Sequence, residues 1–277
     1  MPPHSPRSRE GRELAEQAFD KLLDACGDKW QELVLIGGLI PDTLVESSEP
    51  HQGTLDVDVL LSLALEYDRD DEDYSWLEAA LKKAEFVKAK PNISWRWIVE
   101  VDQSPVIVEF LVDVPDNLES EINLPGTRDL TAMNLSGPGP ALKDARVIEL
   151  GGRLARAAGV GGYLTAKAGA IVRRDLRKDF YDFAFVVIHA VRAEGPDAVA
   201  MAVASACVPG LTVIRNPRED VISACHRFDG PHSNGARIYA AEARAAGSTT
   251  DIAALQAQAQ GAIGAFLSAF ERSDPQI

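Results

Sequence analysis

Thr54-Leu55-Asp56-Val57-Asp58-Val59-Leu60-Leu61 decides how the chain is read. Within the run Leu55 to Leu63 only Asp56, Asp58 and Ser62 are not apolar, so this is a strand made for burial. Carboxylates at i and i+2 of a strand point to the same face. Two such charges side by side repel and are costly to desolvate. A divalent cation removes that cost. Mg²⁺ takes oxygen ligands and favours one or two carboxylates plus phosphate oxygens.

Working outward, Val106-Ile107-Val108-Glu109-Phe110-Leu111-Val112-Asp113 supplies a third acid from a second strand. Glu109 interrupts an apolar run where an acid has no other explanation. Asp113 shares its face but sits at the strand end, where acids are commonplace, so both stay candidates. Upstream, Leu33-Val34-Leu35-Ile36 is a short buried strand ended by Gly37-Gly38. A short helix follows from Leu39, with Pro41 in its first turn. Glycines at such a turn let backbone N–H groups approach a phosphate.

The remaining elements frame these strands. Glu10–Cys26 has a helical period, Ser75–Ala84 is a second helix, and Ile93–Val101 forms a hairpin with Val106–Val114 across Asp102-Gln103-Ser104-Pro105. Glu66–Asp73, with six acids in eight residues, reads as a solvated turn. Residues 115–144 are rich in Pro, Gly, Asn and Ser and read as a surface wrap. Arg146–Leu150 is a last short strand. Beyond Gly151, helical patterns cover about 160–173, 178–193, 195–206, 217–227, 234–245 and 250–271. The expected fold is α+β: an N-terminal mixed sheet with flanking helices and an all-helical C-terminal region.

The order of these motifs, an apolar residue with Gly37-Gly38, then Asp56-x-Asp58, then a later strand acid, resembles the nucleotidyltransferase superfamily. A second stretch extends the likeness. Leu164-Thr165-Ala166-Lys167-Ala168-Gly169-Ala170-Ile171-Val172-Arg173, followed by Lys178-Asp179-Phe180-Tyr181-Asp182-Phe183, is similar to the helical region of AbiEii-type toxins and related stand-alone nucleotidyltransferases. The chain is expected to divide into a disordered tail over 1–8, an α/β domain over 9–150, which the resemblance makes a nucleotidyltransferase domain, and a helical domain over 151–277. The resemblance implies in-line transfer of a nucleoside monophosphate from an NTP to a hydroxyl, with Mg²⁺ or Mn²⁺ on Asp56, Asp58 and Glu109. Asp56, Asp58 and Glu109 would be the catalytic residues, Glu109 binding a second metal or acting as base. Gly37, Gly38, Thr54, Lys167, Arg173 and Lys178 would bind the nucleotide, Lys167 facing its phosphates. The acceptor would be tRNA, with an antitoxin protein as partner, or an antibiotic-type small molecule. A third expectation is a nucleotide-binding or protein-interaction module without turnover. Gln52 stands where relatives often carry arginine, and the Glu46–Gly53 loop is long for the superfamily.

Composition bounds these readings. In 277 residues, 42 acidic against 28 basic side chains leave a net charge of −14, which argues against broad electrostatic binding of nucleic acid. Basic residues gather over 143–178 (Lys143, Arg146, Arg153, Arg156, Lys167, Arg173, Arg174, Arg177, Lys178), predicting a narrow basic strip. Three scattered cysteines indicate a reducing, cytoplasmic setting. No signal peptide is read at the N-terminus. The charge-free stretch Ala198–Ile214 is broken by Pro209 and Gly210, so no membrane span is expected. His51 reads as an exposed loop residue, Lys178 and Asp182 as an i,i+4 pair, and Trp95 and Trp97 as core residues sharing a face. Cys225, His226 and His232 fit no zinc spacing.

Overall fold

A computed structural model describes residues 8–49, 51–64, 66–207 and 216–273. The tail expected over 1–8 falls outside them except for Ser8, whose hydroxyl caps the first helix by accepting from Gly11 N at 2.9 Å. That helix, α1 (Arg9–Cys26), leads into β1 (Val34–Ile36), a 3-10 turn at Gly37–Leu39 and the short α2 (Pro41–Leu44). Then come β2 (Asp56–Leu60), α3 (Ser75–Lys83), β3 (Val87–Lys90), β4 (Ile93–Val101), β5 (Ser104–Val112), β6 (Glu121–Asn123) and β7 (Thr131–Asn134). After α4 (Pro140–Lys143), β8 (Arg146–Leu150) and β9 (Arg153–Ala157), the helices α5 (Val160–Arg174), α6 (Arg177–Glu194), α7 (Pro196–Ala206), α8 (Pro217–His226), α9 (Asn234–Ala245) and α10 (Ile252–Arg272) complete the described chain.

The strands form one mixed sheet in the order β3-β4-β5-β2-β1-β9-β8, with β7 beside the end of β5 and β6 beside β7. Strand β2 lies between antiparallel β1 and parallel β5. Its alternation sorts the residues: Val57 and Val59 are buried with Val108, Phe110 and Trp97 against α1, which α3 packs on in turn. Asp56 and Asp58 therefore take the other face. The hairpin β4–β5 turns at Asp102 and Gln103, both at positive φ (49° and 64°), as a two-residue turn of type I′ requires. That turn pairs Val101 with Ser104 and fixes the register back to Arg96 opposite Glu109.

The expected α+β architecture is present, with three differences in detail. The 115–144 segment is not merely a surface wrap, since it carries β6, β7 and α4. Asn134 there is fully buried and does the work of backbone: its side chain accepts from Val114 N and donates to the carbonyls of Val114 and Asp116. The sheet also runs past 150, because β9 pairs with β8 and lies parallel to β1 at Leu35–Ala157. The change from sheet to helix thus falls between Ala157 and Val160. Strand β9 was hidden in its sequence because the inward residues are only Ala155 and Ala157. Finally, Val87–Lys90 is an edge strand whose two lysines disguised it.

In the helical half, α6 is buried over most of its circumference, as suits a central helix packed by α5, α7, α9 and α10. Asp144 fixes the start of α5 by accepting from Gly159 N (3.1 Å) and Gly162 N (2.7 Å). A single apolar cluster runs from α1 through the sheet to Phe266 and Phe270 of α10. Among the described residues no helix is long and apolar enough to cross a membrane.

Candidate active site

The open face of the sheet and the first turns of contact with α5 and α6 enclose a cavity of about 630 Å³. Asp56, Asp58, Glu109 and Arg96 line it from the sheet, and Lys167, Arg173, Arg174, Lys178 and Asp182 from the helices. Acids on one wall and bases on the other suit a ligand that is anionic and carries a cation. Ile36, Asp58, Glu109 and Arg96 form one row across four strands, each directly opposite the next.

Local structure fixes each acid. The Thr54 hydroxyl, nearly buried, donates to Asp56 Oδ1 and so orients that carboxylate. Gly37 sits at φ +79°, and a Cβ there would lie 2.0 Å from Asp58 Oδ2, so only glycine leaves room for this carboxylate. Gly38 is pressed against Thr54 in the same way, its missing Cβ 2.9 Å from Thr54 Cβ. Burial, with the charges of Asp56 and Glu109, pushes the Asp58 carboxyl up to about 8, against Lys178 and Lys167. Glu109 is also raised, chiefly by burial, with Arg96 opposing and Asp56 adding to it.

Asp113 is occupied elsewhere. It accepts from Gly137 N (2.9 Å) and Gly139 N (2.7 Å), pins the 137–139 loop and does not line the cavity. Of the two candidate third acids, Glu109 is the one in the row.

The three acids fit a hard divalent cation by donor chemistry: carboxylate oxygens only, crowded enough to raise Asp58. Their present arrangement is open, because Glu109 Oε1 lies 2.7 Å from Arg96 Nε instead of turning to the aspartates. Among the described residues no three His, Cys, Asp or Glu side chains are gathered as in a formed metal centre.

Behind the basic wall lies a buried ion cluster. Lys167 Nζ is 2.7 Å from Asp182 Oδ2 and 3.4 Å from Asp179 Oδ1. Arg174 grips Asp179 through two contacts of 2.7 and 2.8 Å. Burial would lower the Lys167 ammonium, but Asp182 and Asp179 outweigh it and hold it above its ordinary value. Asp179 is held below the usual carboxylate range by Lys167 and Arg174 despite its burial. Lys167 thus reaches the cavity wall while its charge is anchored by two acids of α6.

Several expectations change here. His51 is not exposed: it is 2% accessible, packed on Tyr181 and Phe185. Gly53 N donates to its Nδ1, leaving Nε2 to donate to Asp182 Oδ1 at 3.0 Å. Asp182 therefore pairs with Lys167 and His51, in place of the helical pair with Lys178. The basic strip is divided as well. Arg146 donates to Thr43 O, Arg153 pairs with Asp20 and Asp24, Arg156 donates to Gln31 O and Arg177 pairs with Glu242, all away from the cavity. Trp97 is core as expected, while Trp95 is half-buried with its ring 4.1 Å from the Arg96 guanidinium carbon. His226 pairs with Asp229, and Cys225 is buried among apolar neighbours.

Arg96, Arg174 and His51 were missed as site residues. For Arg96 the signal was present, since counting back from a turn at Asp102-Gln103 places it opposite Glu109. Nothing local to the polar loop marks His51 for burial. No family model matches the chain, and no curated protein matches it. Among solved structures, an antigenic nucleotidyltransferase-like protein from Paracoccidioides brasiliensis is similar over 79% of this chain and 94% of its own, at 16% identity and a TM-score of 0.35.

Proposed function

We propose that the protein is a nucleotidyltransferase that moves a nucleoside monophosphate from an NTP to an acceptor hydroxyl. One observation carries this reading: Asp56, Asp58 and Glu109 share one face of adjacent strands in a cavity whose opposite wall presents Lys167, Arg173, Arg174 and Lys178. Acids alone would repel a triphosphate, and bases alone would bind it without activating it. Both together meet the needs of phosphoryl-group chemistry, which relies on positioning and charge stabilisation.

Asp56 and Asp58 would hold a Mg²⁺ or Mn²⁺ ion, with Glu109 as third donor. The ion would screen the triphosphate and the charge that develops on the attacking and leaving oxygens. The chain's own groups do the rest. Thr54 orients Asp56, and Gly37 makes space for Asp58. The cations of α5 and α6 take phosphate oxygens. Their geometry is set in advance, because Asp179 and Asp182 hold Lys167 and Arg174 in place before any ligand arrives. Alternatively to that donor role, Glu109 would accept the proton of the acceptor hydroxyl.

The likeness of the Lys167–Asp182 stretch to AbiEii-type toxins makes tRNA the first acceptor to try, with the protein as the toxin of a toxin–antitoxin pair. A second reading, a cationic antibiotic as acceptor, is favoured by the acidic wall of Asp56, Asp58 and Glu109. The test incubates the protein with each labelled NTP, Mg²⁺ and either total tRNA or an aminoglycoside panel, beside Asp56→Asn. Label transferred to one acceptor and lost in the variant supports the reading and identifies the acceptor. Absence of transfer, with wild type and Asp56→Asn binding nucleotide equally well, would leave a binding module and sink the catalytic reading.

A further inference from the structure

Glu109 stands between two neighbours of opposite charge. Across the sheet it is opposite Asp58 on β2 and opposite Arg96 on β4. Directly opposite residues have Cβ atoms about 5 Å apart, so the Glu109 carboxylate has either neighbour within reach. It is on Arg96, with 2.7 Å between Oε1 and Nε. The guanidinium carbon also lies 4.1 Å from the centre of the Trp95 ring. The Arg96 side chain is 40% exposed and lines the same cavity, whereas that of Glu109 is 16% exposed. Arg96 is thus the partner that a ligand entering the cavity can reach.

A triphosphate offers the planar guanidinium pairs of oxygens for two-pronged contact and, as a whole, carries more charge than one carboxylate. On the nucleotidyltransferase reading above, we propose that Arg96 is a positioning residue that holds Glu109 away from Asp56 and Asp58 until phosphate oxygens take the guanidinium. The third carboxylate then joins the cation only once the nucleotide is in place. Without a ligand, the Arg96 guanidinium offsets the charge of Glu109 beside the two aspartates. The consequence is ordered assembly: the site binds a bare cation weakly and completes its donor set around a phosphate-bearing one.

The experiment measures binding, without turnover. Mn²⁺ affinity is read by the electron paramagnetic resonance signal of the free ion, for wild type, Arg96→Gln, Glu109→Gln and the double variant. Arg96→Gln is expected to tighten Mn²⁺ binding about tenfold in the wild-type background but only about twofold with Glu109→Gln, the remainder being simple loss of a nearby positive charge. Arg96→Lys, which keeps a cation beside Glu109, should return most of the way to wild type. Inorganic tripolyphosphate, titrated without metal, should bind Arg96→Gln about fivefold more weakly than wild type. Equal Mn²⁺ effects of Arg96→Gln in both backgrounds, or unchanged tripolyphosphate binding, would overturn the proposal. Asp58→Asn separates the two levels. If it abolishes Mn²⁺ binding while the Arg96–Glu109 cycle is additive, the latch fails and the acid site stands. If it leaves Mn²⁺ binding unchanged, the cation site fails and the latch with it.

Discussion

Burial and the neighbouring acids push the Asp58 carboxyl up to about 8 in the folded chain, from the 3.8 of an ordinary aspartate. Between those values the unfolded chain binds fewer protons than the folded one, so this residue makes stability fall as pH rises. The slope from one such proton is at most about 1.4 kcal/mol per pH unit. Urea unfolding in a chelating buffer at pH 5, 6, 7 and 8 should therefore show wild type losing stability relative to Asp58→Asn across the series. Parallel profiles would show that Asp58 ionises normally. The residue scale is also where the sequence spoke most clearly. Two acids on an otherwise buried strand need a reason, and Asp56 and Asp58 do line the cavity. Asp113 remained ambiguous in the sequence because its amide partners, Gly137 and Gly139, lie in a distant loop.

At the scale of elements, α5 and α6 are joined by more than apolar packing. Lys167 is 7% exposed and lies between Asp179 and Asp182, so replacing it leaves two buried carboxylates short of a cation. Lys167→Met should cost about 3 kcal/mol, at the lower end for a broken buried pair, since Arg174 still serves Asp179 and His51 still serves Asp182. Adding Asp182→Asn to Lys167→Met should recover part of the loss. Chemical denaturation of the two variants checks this, and a cost below about 1 kcal/mol, that of a surface pair, would mean the cluster is solvated. Periodicity revealed the helices of this half because each carries a long, repeating apolar face. It missed β3, β6, β7 and β9, which are three to five residues long. Such strands are held by neighbours in the sheet and have too few side chains to show a period.

For the whole molecule, the charge of −14 is a poor guide to the cavity, which gathers five cations against four acids along its walls. What the sequence presented as two regions shares one core: β9 extends the sheet beside β1, and its chain passes directly into α5, whose Tyr163, Leu164 and Ile171 are buried. The core reaches without interruption from Phe19 of α1 to Phe270 of α10. Cooperative unfolding of the entire chain follows, because neither half can lose its packing without exposing the other's. The side chains provide a probe for each half. All four tryptophans, Trp30, Trp76, Trp95 and Trp97, lie on the sheet side, while most of the helical residues lie after Ala157. Tryptophan fluorescence and far-UV circular dichroism should therefore give coincident urea transitions, with one midpoint and one slope. A fluorescence midpoint separated from the dichroism midpoint would show two independent folding units, with a boundary at the junction of β9 and α5. In that case a ligand in the cavity, held by both walls, should draw the two midpoints together.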